Sequence, residues 1–394
     1  MSKTSIGVAV IGAGMAGRAH LAGYRSASTV FGNNLPEVRL VAVADGYHPF
    51  AADAARRFGY ERAESSWEAI VDADDIDAVS VVLPNNLHRE VVEALLESGK
   101  HVLCEKPLAG TLEDARAMVE AANRHPGLVT STGFTFRTSP AINAIRREIE
   151  EGHLGTPYFL SSHYWCDYGC DPQGPISWRY KGEPGSGALA DIGSHAIDAA
   201  EFLFGPIASV RGAHFATLIT ERPKPLGHAV GHSSTAVSEE VEAVENDDVV
   251  VFTAQFSSGA IGNFSASRVS QGLPNSLGFE VFGSAGAATY DLARAGEFSF
   301  VDTSSPHTTA GFRQVLVGPQ HPNVSGGFAM DFPGVNYGQN DLFVFETRAF
   351  LEQIADVSGQ PRVPNFAHGL RNLEIIHAVT TSANNGGAEV QIPR

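Results

Sequence analysis

Three groups of residues have the types and the spacing for chemistry. Lys106 lies in "HVLCEKPLAG", His101–Gly110, where a short apolar run ends in Glu105, Lys106 and Pro107. Proline fixes its own φ and biases the residue before it toward extended backbone. A lysine fixed at the end of a buried strand can hydrogen-bond an oxygen on which negative charge develops, whereas an exposed loop lysine is the plain alternative. In "GSGALADIGSHAID", Gly185–Asp198, Asp191 and His195 stand four apart and share one helix face, with Asp198 a turn further. Ala188, Leu189, Ile192 and Ala196 serve the packing side. A carboxylate and an imidazole so placed are an acid–base pair, an ion pair that satisfies itself, or two metal ligands that lack a third.

The third group is "GAGMAG": Gly12, Ala13, Gly14, Met15, Ala16 and Gly17 follow the β-rich run Ile6–Ile11 and open a helical segment. In this G-x-G-x-x-G, the first glycine allows a tight turn and the second a close approach to a pyrophosphate. The third lets helix and strand pack closely, and the free amides of the helix start face the phosphates. Asp45 ends the next apolar run, Val38–Ala44, where its carboxylate can accept both hydroxyls of an adenosine ribose. It follows Gly17 by 28 residues, more than the usual distance of about 20, because "STVFGNNLPE" lengthens the connection. No arginine stands at positions 46–48 to receive a 2′-phosphate, so the expected cofactor is NAD rather than NADP.

The elements that must position these residues alternate at first. The run "DIDAVSVVL", Asp75–Leu83, stops at Pro84. An apolar repeat of helical spacing follows from Leu87 to Leu96 and is ended by Gly99. Strand His101–Cys104 comes next, then a helix begun at Thr111 with Glu113 and Asp114 in its first turn, then Leu128–Thr132. This is an α/β pattern, a doubly wound parallel Rossmann sheet, over residues 1–137. Ligands of such sheets bind beyond the carboxyl ends of the strands. Both Cys104–Pro107 and "LPNNLH", Leu83–His88, are such ends, so Pro84, Asn85, His88, Glu105 and Lys106 are expected to line the nucleotide cleft. Residues 138–394 read as long alternating strands with helices at about Ala188–Phe204, Asp341–Ser358 and Ala367–Ser382, an α+β domain around a large, mainly antiparallel open sheet.

Composition narrows the class. At 394 residues the chain exceeds what one core supports, and 43% hydrophobic with 18% charged residues is ordinary for a globular protein. A net charge of −17 argues against nucleic acid and anionic membrane surfaces as partners. No apolar stretch has the length of a membrane span, and the run after Lys3 is too short for a secretion signal. Cys104, Cys166 and Cys170 cannot pair completely, and no further soft ligand stands at zinc spacing, so no metal is expected and the cytoplasm is the expected compartment.

Taken in order, "GAGMAGRAH", "PNNLH", "HVLCEKPLA", "SWRY…GSGALADIGSHAIDAAEFLFG" and the closing helix resemble the glucose–fructose oxidoreductase / inositol dehydrogenase (Gfo/Idh/MocA) family over essentially the whole chain. "CDPQGPISWR" and "GFRQVLVGPQHPN…GVNYGQND" look most like its pyranoside and levoglucosan dehydrogenase branch. This chain departs from that branch at Phe136 and Cys166. The resemblance implies an NAD-dependent dehydrogenase in which Lys106, Asp191 and His195 surround the hydroxyl being oxidised. His195 then accepts the proton, Lys106 stabilises the alkoxide, and Asp191 orients both. It also implies a Lys106–Pro107 bond that is often cis, and a homodimer or homotetramer formed through the open sheet face. Arg137, Trp165, Asp167, Arg179 and Tyr337 are the expected substrate contacts, suited to a neutral cyclic polyol or sugar. The family also holds non-catalytic dinucleotide-binding regulators and glycosidases that recycle NAD. The intact Lys106, Asp191 and His195 speak against a regulator.

Overall fold

The structure is a computed structural model that describes residues 4–32, 34–182, 185–227, 235–303, 308–357 and 361–393. Lys3, Asn33 in the lengthened connection and Ser358 at the expected end of a helix lie outside the described residues. The chain divides into two compact units, Met1–Ser139 with Gly318–Leu370, and Pro140–Val317 with Arg371–Arg394.

In the first unit the chain runs β1 (Ser5–Ile11), α1 (Met15–Ala27), β2 (Glu37–Ala44), α2 (His48–Phe58), β3 (Arg62–Glu64), α3 (Glu68–Val71), β4 (Ala78–Val81), α4 (His88–Glu97), β5 (His101–Cys104), α5 (Leu112–Arg124) and β6 (Thr130–Thr132). All six strands are parallel, in the order β3-β2-β1-β4-β5-β6. Ile6, Val8, Ala9, Val10 and Ile11 are buried, as a strand covered on both faces demands. Thr111 caps α5 by accepting the Asp114 amide at 3.1 Å. The order reverses between β1 and β4, which leaves a crevice beyond their carboxyl ends.

The second unit runs α6 (Pro140–Glu150), β7 (Pro157–Trp165), α7 (Ser194–Phe204), β8 (Ile207–Ala216), β9 (Glu221–Pro225), β10 (Val237–Ala243), β11 (Val249–Phe256), β12 (Ile261–Ser267), β13 (Ser276–Gly283), β14 (Gly286–Asp291), β15 (Glu297–Asp302), β16 (Arg313–Leu316) and, from the C-terminal segment, β17 (Val390–Gln391). A nine-stranded sheet has the order β16-β15-β14-β13-β7-β12-β11-β8-β17, antiparallel throughout except where β7 meets β12, and β9 and β10 form a separate ribbon. Strand alternation sets the two faces. Leu160, Ser162 and Tyr164 of β7 are buried on the side where α7 packs, while Phe159, Val251, Ile261 and Phe282 stay exposed. Behind the sheet, Arg268 and Asp248 form a buried ion pair at 2.8 Å.

The segment 318–370, read from the sequence as part of the second domain, belongs to the first unit. It carries α8 (Gln339–Ile354) and the start of α9 (Phe366–Asn384). A Cβ on Gly23 of α1 would stand 2.7 Å from the Phe343 carbonyl oxygen, so this glycine lets α8 lie directly on α1. Buried Arg348 pairs with Glu352 at 2.6 Å and donates to the Ala27 carbonyl at 2.9 Å. The lengthened connection also finds its purpose there. The Phe31 amide donates to Gly326 O at 3.0 Å, and its ring meets Phe345 with centroids 5.9 Å apart. Among the described residues no helix is long and apolar enough to cross a membrane.

The Arg268–Asp248 pair gives a stability test. Arg268→Leu leaves the Asp248 carboxylate buried without its counter-charge, which costs about 3–5 kcal/mol. The expected result is a clear fall in the urea midpoint, followed by far-UV circular dichroism. A midpoint within error of wild type would show that the pair does not hold this unit together.

Candidate active site

Gly12 turns the chain from β1 at φ +102°, and a Cβ there would lie 2.0 Å from the Val82 carbonyl oxygen. A Cβ on Gly17 would lie 1.8 Å from the Gly12 oxygen. Gly14 differs: its φ is −68° and a Cβ would meet nothing within 4 Å, so the space over it is open to a ligand. No side chain caps the start of α1, where Ala13 and Ala16 keep the chain small and the Met15 side chain points out, 57% exposed. Asp45 closes the loop by accepting the Ala13 amide on Oδ2 and the Tyr47 amide on Oδ1, both at 2.8 Å. Each oxygen keeps a lone pair for a ribose hydroxyl. At the end of β4, after Pro84, Asn85 is 6% exposed and its Nδ2 is buried with no hydrogen-bond partner. An open glycine, an uncapped helix start, a carboxylate with free lone pairs and an orphaned amide donor together fit a dinucleotide.

Two residues expected on the nucleotide have other work. His88 is buried with Nδ1 3.1 Å from Leu108 O and Nε2 2.9 Å from Leu83 O, so its ring ties two loops together. Burial holds its pKa below the ordinary imidazole range. Glu105 points inward: Oε1 lies 3.0 Å from His20 Nε2, and Oε2 accepts the Lys106 amide at 3.0 Å. Lys106 follows on the strand end, half-buried, with a cis Lys106–Pro107 bond.

Beneath Lys106 lies a buried polar cluster that the sequence did not reveal. His20 Nδ1 stands 3.2 Å from Ser80 Oγ, which also contacts the Tyr24 hydroxyl at 2.9 Å. Glu346 of α8, fully buried, accepts from Thr135 Oγ1 at 2.8 Å on Oε2, while Oε1 has no hydrogen-bond partner. Burial pushes the Glu346 pKa up to about 7, the His20 charge opposing and the Glu105 charge adding to that rise. Burial also disfavours charge on His20, yet Glu105 carries its pKa above the ordinary range. Thr135 begins the turn Thr135–Thr138 that bears Arg137, so the cluster joins three segments expected to meet ligands.

In the second unit Asp191 and His195 do lie on one continuous helical run, but Leu189–Gly193 winds as a wider π-helical turn before α7. Asp247 anchors that turn, its carboxylate accepting the Leu189 amide and its carbonyl the Ala188 amide. The Tyr168 hydroxyl donates to Asp191 Oδ2 at 2.9 Å, and Arg179 Nε stands 3.9 Å from the same oxygen. Arg179 lies over the Trp178 ring at 4.5 Å, and its Nε is buried with no hydrogen-bond partner. His195 is buried, its ring 5.9 Å from that of Tyr164. Asp167 is half-buried on the same loop as Tyr168, where its carbonyl accepts the Cys170 amide.

Trp165 and Tyr337, expected at the substrate, each have aromatic neighbours. Trp165 alternates with Tyr164 along β7 and so takes the sheet face opposite α7, stacked on His163 at 3.9 Å and donating to Ser265 Oγ at 2.9 Å. The Tyr337 ring is buried in the first unit among Phe328 and Phe345. Tyr168, His20 and Glu346 were missed because nothing in their local spacing marks them.

Residues 6–133 match an oxidoreductase family with an NAD-binding Rossmann fold, and residues 142–289 match the Gfo/Idh/MocA C-terminal domain. Levoglucosan dehydrogenase from Pseudarthrobacter phenanthrenivorans is 36% identical over 383 residues, 96% of each chain. The chain belongs to the Gfo/Idh/MocA oxidoreductase family. Within the family it stands beside levoglucosan dehydrogenase, as the motifs indicated. A solved levoglucosan dehydrogenase in complex with NADH and levoglucosan superposes with a TM-score of 0.89 at 34% identity, covering 99% of each chain. The scyllo-inositol 2-dehydrogenase (NAD(+)) of Bacillus subtilis strain 168 is 29% identical over 239 residues, 60% of this chain and 62% of the relative. As a Gfo/Idh/MocA member this chain is an oxidoreductase, and its cofactor is NAD.

Two predictions separate fold from binding. Gly14→Val should leave the thermal midpoint near wild type while raising the Kd for NADH at least tenfold by fluorescence titration, whereas Gly17→Ala should lower the midpoint. Equal effects of both on stability would contradict the open space over Gly14. Glu346 gives a pH dependence. Its folded pKa, about 7, lies above the ordinary carboxyl value, so the folded state holds the proton more tightly. The stability this confers is full below the ordinary value and is lost as pH rises through about 7, on the order of 3 kcal/mol in all. Glu346→Gln should therefore flatten the fall in thermal midpoint between pH 5 and about pH 8. An unchanged slope would contradict the buried acid.

Proposed function

We propose that this oxidoreductase converts a ring secondary hydroxyl of a neutral cyclic polyol or sugar, such as a pyranoside, an anhydrosugar or an inositol, to a ketone. The observation that carries this reading is the arrangement at Asp191: one carboxylate oxygen takes the Tyr168 hydroxyl, an arginine stands close by, and His195 lies four residues along the same helical run. Bound NAD supplies the acceptor for the hydride. The hydroxyl proton goes to His195, since imidazole exchanges protons near neutral pH. Lys106 donates a hydrogen bond to the same oxygen and stabilises its developing charge. Asp191 orients the imidazole and stabilises its cationic form.

A neutral ligand suits the charges. Arg179 is already stacked on Trp178 and faces the Asp191 carboxylate, so its charge is largely compensated. Its buried Nε still needs an acceptor, and a sugar oxygen would serve. Recognition of a carboxylate or phosphate would want a forked arginine pair instead. Levoglucosan and scyllo-inositol, named for two relatives, are uncharged hydroxylated rings. The exposed apolar face of the large sheet, with Phe159, Val251, Ile261 and Phe282, is the surface we assign to contacts between copies of the chain.

The test is NADH formation with matched pairs, a neutral sugar and its uronic acid or phosphate at equal concentration. The neutral member should react faster, and NAD should have the higher specificity constant against NADP. His195→Ala and Lys106→Ala should each lower kcat by roughly 10²–10⁴-fold with NADH affinity nearly unchanged. Preference for the anionic member would overturn the substrate reading. Intact nucleotide binding without any turnover would indicate a regulator, and glycosidic cleavage with no net NADH would indicate a glycosidase.

A further inference from the structure

Asp191 is held from two sides, and the proton and hydride transfers described above give neither hold a role. Its backbone turn hangs on Asp247, and its Oδ2 receives the Tyr168 hydroxyl at 2.9 Å. We propose that Tyr168 is a positioning residue of the oxidation: by occupying Oδ2 it fixes the rotation of the Asp191 carboxylate and sets how strongly that carboxylate holds a proton on His195. The inference rests on the assignment of Asp191 and His195 as the acid–base pair.

The loop that carries Tyr168 is built with unusual care for a surface connection. The Gly169 amide donates to Arg268 O at 2.8 Å, and a Cβ on Gly169 would lie 2.7 Å from that oxygen. Arg222, buried, donates to the carbonyls of Gly169 and of Asp171. Arg222 and Arg268 both lie over the Tyr180 ring, at 4.2 and 4.4 Å. Arg268 is itself locked by Asp248 and donates to Arg179 O at 2.9 Å. One buried column of two arginines and a tyrosine therefore fixes the backbone on both segments whose side chains reach Oδ2, that of Tyr168 and that of Arg179.

The alternative is a tyrosine that merely needs a partner for its hydroxyl. Geometry distinguishes the two, because the hydroxyl does not take a backbone carbonyl but the charged oxygen of a residue assigned to the chemistry. Burial, with the Asp191 charge adding to it, holds the phenol pKa well above the ordinary range, so Tyr168 stays a donor throughout the working pH. Facing this corner are Tyr164 from β7, Arg179 and Tyr180 from the turn Trp178–Tyr180, Arg268 beyond β12, and His195 from α7. The sign follows. Removing the donor makes the Asp191 carboxylate more basic, and in the assigned acid–base pair a more basic carboxylate favours the protonated imidazole, so the midpoint of the pair rises, by about one pH unit for a hydrogen bond to a charged group.

The experiment uses full-length protein labelled with [13Cε1]histidine, in which the His195 signal is identified by its loss in His195→Asn. Tyr168→Phe should raise the His195 midpoint by about one pH unit. It should move the acid limb of kcat/KM the same way and leave the Kd for NADH unchanged. 3-Fluorotyrosine installed at position 168, a stronger donor that keeps the shape, should move the midpoint down and keeps the test valid where Tyr168→Phe folds poorly. In the Asp191→Asn background Tyr168→Phe should have no further effect on the midpoint. An unmoved midpoint in both Tyr168 variants would reduce the residue to packing, and a shift that persists without the Asp191 charge would assign its influence elsewhere. Either result overturns the proposal. Retained turnover in His195→Ala would instead overturn the acid–base assignment, which the histidine signal reports separately from activity.

Discussion

Six parallel strands end on one edge of the first sheet, and the order of those strands reverses between β1 and β4. The nucleotide site depends on this constraint. Parallel strands end with their carboxyl termini together, so the turns after β1, β2, β4, β5 and β6 gather at one crevice although they lie far apart in sequence. Each turn contributes one thing: an open glycine, the Asp45 carboxylate, the Asn85 amide, Lys106, and the turn that carries Arg137. The hydrogen bond from the Ala13 amide to Asp45 fastens the first two to each other before any ligand arrives.

The interior follows the same logic in polar terms. A buried charge is tolerated only when paired, and here most are: Arg348 with Glu352, Arg268 with Asp248, His20 with Glu105. Three of the buried polar atoms left over stand beside residues to which chemistry is assigned. Asn85 Nδ2, Arg179 Nε and Glu346 Oε1 are buried without hydrogen-bond partners, at the end of β4, beside Asp191 and beneath Lys106 respectively. Burial raises the Glu346 pKa to about 7, and the acid therefore keeps its proton below that pH. Glu105 resolves its isolation through His20, and this leaves its second oxygen to grip the Lys106 amide. The Lys106 backbone is thus held by a buried pair whose histidine lies on α1, the helix that follows the glycine loop.

The second unit uses strand alternation where the first uses strand ends. Because side chains of β7 point to opposite faces in turn, Tyr164 meets His195 while its neighbour Trp165 stacks on His163 on the other face. The same period leaves an apolar row on the face away from α7. Asp191, His195 and Tyr164 therefore lie on the α7 side of the sheet or in the loops at its edge. There the column of Arg222, Tyr180 and Arg268 fixes the segments around Asp191.

By itself the sequence determined whatever is encoded over a few residues. The strand–glycine–helix start at Gly12–Gly17, the Thr111 cap, the strand end at Lys106 and the helical spacing of Asp191 and His195 all follow from periodicity and turn chemistry, and all are present. Local pattern also located the open sheet of the second half. Tertiary structure alone decided what depends on partners remote in the chain. The return of 318–370 to the first unit rests on a glycine face of α1 meeting α8, some three hundred residues later. Whether a polar side chain at a strand end faces a ligand or the interior depends on what stands behind it. Glu105 and His88 turn inward because His20, Leu83 and Leu108 wait there, and Tyr168 matters because a π-helical turn brings Asp191 to its hydroxyl. Spacing fixes direction along one element, and only the packing of elements fixes what that direction meets.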